Sequence, residues 1–206
     1  MNKSSIVILA LLFSACTLSP QLSEPVAIYD FGLQQTNANP IAKQSSTKTP
    51  SLLLTEVASS IWLDNHAIHY RLAYHNATQR YSYANSRWAA TPAALLTRQI
   101  GNRLMMDTDY KIVSANDGVH AEYALHSVLE DFSQVFYSAD ESHAIIHLHI
   151  SLIERRTRSL RAQRQFMIQK TASTADAVGA VHAMIEASNQ LNDEIVDWLA
   201  NELAIQ

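Results

Sequence analysis

Two neighbouring segments constrain this chain more than anything else in it. From His143 to Ile153 apolar and polar residues alternate, with Ile146, Leu148 and Ile150 on one side and His147, His149 and Ser151 on the other. A period of two marks a strand buried on one face and wet on the other. Ser159 to Ala172 reads as a second strand with Phe166 and Ile168 directed inward. Only Glu154 and the turn Arg155-Arg156-Thr157-Arg158 separate the two, so they pair back as a long hairpin with a cationic tip.

A second hairpin is expected upstream. Asp64-Asn65 supplies a turn, after which Ile68, Tyr70, Leu72 and Tyr74 alternate with His69, Arg71, Ala73 and His75. Asn76-Ala77-Thr78 turns the chain, and Arg80 to Tyr83 alternates again as the returning strand. Arg87-Trp88 then leads into Thr91-Pro92, a cap residue followed by a proline at the first helical position. The helix that starts there carries Leu96, Ile100 and Leu104 on one stripe, flanked by Leu95 and Arg103. It should cover one face of the sheet and end between Met105 and Asp109.

Tyr110 to Ala115 reads as a short strand before the turn Asn116-Asp117-Gly118. Tyr123 to Phe136 is ambiguous, because its apolar residues are spaced partly as in a helix. At the C-terminal end, Ser173-Thr174-Ala175-Asp176 has the form of a capping box with Asp in place of Glu. The helix after it carries Val178, Val181, Ile185, Leu191, Ile195, Trp198 and Leu199, and spans about 28 residues, or roughly 42 Å.

The ordered series Trp62-Leu63-Asp64, Tyr70-Arg71, Tyr83-Ala84-Asn85-Ser86-Arg87-Trp88 and Pro92 with Leu95-Leu96 resembles the auxiliary lipoprotein family of ABC-type lipid transport systems. These are small outer-membrane lipoproteins that accompany a permease, an ATPase and a periplasmic protein of the mammalian-cell-entry (MCE) type. The resemblance makes Tyr123 to Phe136 a long strand, ending in the aromatic-x-Gln-x-aromatic run Phe132-Ser133-Gln134-Val135-Phe136. It also matches an opening strand at Tyr29-Asp30, expected over Ala27 to Phe31, and a closing helix with Trp198-Leu199 near its end. Ser51 to Leu63 is then a bulged strand. The expected fold is α/β of the α+β type: a single domain whose largely antiparallel sheet has two helices packed on one face.

The N-terminal residues have a different role. Lys3 followed by the apolar run Ile6 to Phe13 has the length of a signal peptide and is too short to span a bilayer, which takes about 20 residues. Leu12-Phe13-Ser14-Ala15-Cys16 resembles a bacterial lipobox. Residues 1–15 are therefore expected to be removed, leaving Cys16 as a lipidated first residue bearing acyl chains of the palmitate class. Cys16 is the single cysteine of the chain, which rules out an internal disulfide. Thr17 after it implies, by the sorting pattern of such lipoproteins, delivery to the outer membrane with the domain facing the periplasm. Residues 16–26 are expected to act as a tether. The domain should run over 27–206 with a polar loop at 34–50, in a stretch rich in Ser, Gln, Asn and Thr that cannot bury enough apolar surface to order itself.

Little points to catalysis. The four glycines, Gly32, Gly101, Gly118 and Gly179, lie far apart. A phosphate-binding loop, a dinucleotide fingerprint or a nucleophile elbow needs them clustered. The net charge of −4 over 206 residues offers no broad basic field for nucleic acid. No metal motif or cofactor signature is present. His147 and His149 share a wet strand face, which is more often solvated than metal-bound. The basic run Arg155, Arg156, Arg158, Arg161 and Arg164 is the candidate contact with an acidic partner or lipid headgroups, and Arg87 with Trp88 is a second candidate. Trp62, Trp88 and Trp198 are all expected in the core, with Trp88, beside Arg87, the one of the three best placed to reach a surface.

The resemblance thus implies a non-catalytic accessory that docks an MCE-type protein. A homo-oligomer is a further expectation, to match a ring-shaped partner. The alternative is a carrier domain that holds lipid itself.

Overall fold

The computed structural model describes residues 25–32, 49–114 and 117–204. The signal segment, Cys16, the expected tether to residue 24, most of the polar loop 34–50 and part of the 116–118 turn lie outside the described residues. Nine strands and three helices follow one another among the described residues: β1 Ala27–Tyr29, β2 Ser51–Leu54, β3 Ala58–Ser59, β4 Ala67–Leu72, α1 Ala73–Asn76, β5 Tyr81–Trp88, α2 Pro92–Asp107, β6 Lys111–Ser114, β7 Tyr123–Phe136, β8 Ser142–Glu154, β9 Ser159–Thr171 and α3 Ala177–Ala204.

All nine strands join one sheet, which curls into a half-barrel around β7. On one edge β7 pairs with β8 along its whole length, antiparallel, and β8 pairs likewise with β9. On its other edge three short strands lie parallel to it in succession: β2 beside Tyr123 to Leu125, β3 beside Val128 and Leu129, and β4 beside Ser133 to Phe136. β6 pairs with β2, while β5 pairs with β4 and then carries β1. The expectation of a largely antiparallel sheet holds for its long ladders and not for its short strands. The longest ladders are antiparallel, but five of the eight pairings are parallel. A strand's alternation is the same whichever way its neighbour runs, so the pattern carried no information on direction.

The ambiguous segment is a strand. A register shift between Leu129 and Asp131 explains its helix-like spacing, because one extra residue moves the apolar set by one position. Leu125, Leu129, Phe132, Ile146, Leu148, Phe166 and Ile168 belong to one buried cluster with Leu96, Ile100 and Leu104 of α2 and Val181, Leu191, Ile195 and Leu199 of α3. The two long helices also bond to each other, through Gln99 Nε2 to Asn189 Oδ1 at 2.9 Å and through the Arg103–Asp193 ion pair.

Several local expectations hold, and several shift. Thr91 caps α2, its side chain accepting from the Ala94 N–H, with Pro92 at the first helical position. The strand expected over Ser51 to Leu63 breaks into β2, β3 and a turn. Tyr74 and His75 continue the alternation of β4 in sequence, yet they lie in the single turn α1. Asn76 closes that turn by accepting from the Thr78 N–H at 3.0 Å, a local competition that a polar Asn wins over strand pairing.

At α3 the cap is Asp176 itself, not the Ser173 end of a capping box. Its Oδ1 accepts from the Gly179 N–H at 2.8 Å and from the Thr174 hydroxyl at 2.7 Å. These donors, the Gly179 N–H foremost, hold the Asp176 carboxyl below its usual range. Glycine is required three residues on, because a Cβ at 179 would meet the Thr174 carbonyl oxygen. Within α3, Val178 is exposed and Ile185 only half-buried; Ala180, Ala183, Met184 and Ala187 complete the buried stripe instead.

Candidate functional site

The basic run does not form one patch. Arg155 and Arg156 begin the β8–β9 turn and Arg158 ends it, with its backbone in the left-handed region at φ 56°. Arg155 is half-buried. Its backbone N–H donates to the Glu122 carbonyl at 2.8 Å, and its guanidinium donates to the Ala121 carbonyl at 3.3 Å. Arg156 pairs with Glu154 at 3.3 Å and stays exposed. Arg161 and Arg164 fold back toward α3 instead. Arg161 donates to the Glu202 carbonyl at 3.2 Å, near the negative end of that helix. Arg164 stands over the Phe166 ring and 3.7 Å from Glu194.

The second candidate pair divides as well. Arg87 is exposed on β5, opposite Ile28 of the short strand β1. Trp88 is 1% exposed and packs edge-on against Phe31 and Phe132. A fully buried indole cannot present itself to a partner, so Trp88 is a core residue. Neighbouring positions on a strand point to opposite faces; the charge of Arg87 therefore says nothing about where Trp88 points. Trp198 is in the core against Phe166, whereas Trp62 is half-buried under the Arg80 guanidinium at 4.1 Å.

The face of the sheet away from the buried cluster is mixed, with charged pairs beside apolar side chains such as Val128 and Met167. His147 Nδ1 lies 3.0 Å from Glu130, and Arg71 pairs with Asp131 at 3.1 Å. His69 lies beside Trp62, and burial pushes its pKa below the ordinary value. Among the described residues no three His, Cys, Asp or Glu side chains gather as a metal site, and no helix is long and apolar enough to cross a membrane.

Gln134 connects the two sides of β7. Fully buried, it accepts from the Tyr83 hydroxyl at 2.6 Å and donates to the Ser142 hydroxyl at 2.8 Å. Burial, the largest cause, raises the Tyr83 pKa, so the phenol stays protonated and able to donate. This explains physically why a glutamine stands between two aromatics here.

Among the described residues, clefts open on the surface that are lined in part by residues from 53–59. One of about 770 Å³ runs between α2 and the β2–β6 pair, past Leu54, Gly101, Met105, Ile112 and Val113. A second of about 550 Å³ continues along α2 toward Asp64 and Thr91. The third, about 700 Å³, lies at the tip of the β8–β9 hairpin and includes His120 and His126. These histidines fall outside the candidates named from the sequence; isolated from the basic run, they carried no signal of their own.

The architecture, a curled mixed sheet around one long central strand with two long helices, is shared with solved bacterial domains. A Xanthomonas campestris protein of the DUF330 family has 18% identity and a TM-score of 0.71, covering 85% of this chain and 96% of that one. A hypothetical protein from Chlamydia trachomatis has 9% identity and a TM-score of 0.53, covering 77% of this chain and all of that one. At such identities the likeness shows the fold alone. The sequence itself is more specific: the chain belongs to the family of ABC-type transport auxiliary lipoprotein components, whose model matches residues 31–196. No curated protein matches it by sequence. Membership makes it an accessory of an ABC transport system and a lipoprotein.

Proposed function

We propose that this chain is a non-catalytic lipoprotein, anchored through acylated Cys16 in the outer membrane and facing the periplasm, that docks the MCE-type component of a lipid transport system with its permease and ATPase. The observation that carries the reading is the family match over 31–196, which spans nearly the whole described domain. The lipobox before Cys16 fits it independently. In this reading residues 1–15 are removed, 16–26 reach from the membrane and 27–206 form the docking domain.

The proposed docking surface is β9. This strand of 13 residues pairs only with β8, which leaves its other edge without a strand partner among the described residues. It carries Met167, 71% exposed, and Leu160, 55% exposed, together with Arg161 and Arg164. A long unpaired edge with exposed apolar side chains is a template for an added strand or a second protein surface. Arg87 offers a smaller contact on β5, one strand in from the opposite edge.

Crosslinking the full chain to the periplasmic part of its MCE-type partner, with mass spectrometry of the linked peptides, tests this. Links concentrated on 159–171 support it. Failure to capture the folded partner contradicts it.

One observation favours a second reading, a lipid carrier: the cleft along α2, whose Leu54, Met105, Ile112 and Val113 offer an apolar lining. Lipid retained after gentle purification and lost on Gly101→Leu would favour that reading over docking.

A further inference from the structure

The cleft at the hairpin tip is built from three adjacent strands and a turn. Leu53, Ala124 and Ile153 are successive cross-strand partners on β2, β7 and β8, and all three line it, so they form a continuous apolar floor. Above this floor stand Arg155, Arg156 and Arg158, with His120 and His126. In a chain of net charge −4, this lining sets three permanent positive charges against one carboxylate. That carboxylate, Glu122, has Oε2 engaged by the Ser51 N–H at 3.2 Å.

Two further observations indicate a ligand. The backbone of Arg155 is fixed by its N–H donating to the Glu122 carbonyl, and its guanidinium by donating from Nη1 to the Ala121 carbonyl. A guanidinium has five N–H donors and Arg155 spends one of them this way, so the rest are held in place at the cleft without a loss of side-chain freedom on binding. Arg158 occupies a left-handed backbone conformation, at φ 56°. For a long side chain this costs on the order of 1 kcal/mol or more, which glycine would avoid. No ion-pair partner for Arg158 occurs among the described residues. A strained position kept charged, beside a preorganised arginine and over an apolar floor, matches a tetrahedral oxyanion joined to carbon.

We propose that this cleft binds a phosphate ester. Arg155 and Arg158 supply forked N–H donors to the phosphate oxygens. Arg156 adds charge from the rim, where it is shared with Glu154. The floor of Leu53, Ala124 and Ile153 seats the first carbons of the ester. Neither the docking surface on β9 nor the transport role enters this inference, so it stands or falls separately.

The full chain, purified in an uncharged maltoside detergent, is titrated calorimetrically at constant ionic strength with inorganic phosphate, glycerol 3-phosphate and dihexanoylphosphatidic acid. Saturable binding of glycerol 3-phosphate or the short lipid is expected, tighter than that of inorganic phosphate because only the esters reach the floor. Lipid bound more tightly than glycerol 3-phosphate identifies a headgroup as the source; equal affinity identifies a soluble ester. Both outcomes support the site. Arg158→Gly suits the left-handed backbone, so the fold persists, and the loss of one charge-assisted contact should weaken binding about tenfold. R156Q/R158G should weaken it further, while Arg87→Ala binds as the original chain does. The proposal is overturned if no ester gives saturable heat, or if R156Q/R158G titrates unchanged while its thermal melt shows a folded protein.

Discussion

β7 has two unlike edges. On one, a nearly unbroken antiparallel ladder leads to β8 and on to β9, ending in a long free edge. On the other, β2, β3 and β4 approach in steps, each covering a few residues and leaving the chain between them to rise off the sheet. An unbroken ladder satisfies its backbone groups and seals the surface. A stepped one leaves intervals that side chains only partly fill. Among the described residues, the two clefts along α2 take part of their lining from residues 54–59 on the stepped side, while the cleft at the hairpin tip adds Leu53 to residues of β7, β8 and the turn after β8. The free edge of β9 is thus suited to meeting another protein, and the stepped strands, with the hairpin tip beside β2, to receiving smaller groups.

The largest test of this division is Trp88→Ala. The indole joins Phe31, Phe132 and β5, and so holds β1 and β5 to the centre. Its removal should cost about 3–5 kcal/mol by chemical denaturation. Hydrogen exchange should accelerate in β1 and β5 more than in β8 and β9. Equal acceleration on both sides would erase the distinction.

Gln134→Leu comes next, because it cuts the hydrogen-bonded link between the sides. Leaving the buried Ser142 hydroxyl and the Tyr83 phenol without this partner should cost about 1–3 kcal/mol. Unlike the tryptophan variant, it should loosen β5 and β8 together. A change confined to one side would show that the link is incidental.

Asp176→Ala probes the continuous side through the helix that covers it, and should cost about 1 kcal/mol. The sign with pH follows from the lowered carboxyl pKa. The ionised cap contributes fully above the ordinary carboxylate range, and its contribution is lost as pH falls through the lower folded value. Acid titration of stability should therefore be shallower in D176A than in the original chain. The smallest effect is expected for Arg103→Ala. Its pairs with Asp107 and Asp193 are largely solvated, and stability should change by less than about 1 kcal/mol.

The two sides also differed in how far the sequence revealed them. The β8–β9 hairpin was legible because half-buried antiparallel strands alternate cleanly and a short turn dictates their pairing. β7 was not legible from periodicity, since its register shift disguised the alternation; the family resemblance identified it. The stepped side was read least well. Nothing in Leu52-Leu53-Leu54 or in the alternation after Ile68 states that these strands run parallel to a strand some 70 residues later, as the Leu52↔Tyr123 pairing does. The same gap explains the clefts: Leu53, His120, His126 and Arg155 meet only because that pairing brings them together. Charge proved a poor guide to exposure at Trp88, and the arginines from 155 to 164 separated because strand geometry sends some toward α3 and others to the tip.

The claim that the continuous side meets the transport partner is tested most directly by hydrogen–deuterium exchange of the full chain, alone and with the periplasmic part of the proposed MCE-type partner. The account predicts added protection across 159–171, with exchange in 53–59 unchanged. Protection confined to 53–59, or none at concentrations where the two proteins comigrate, would contradict it.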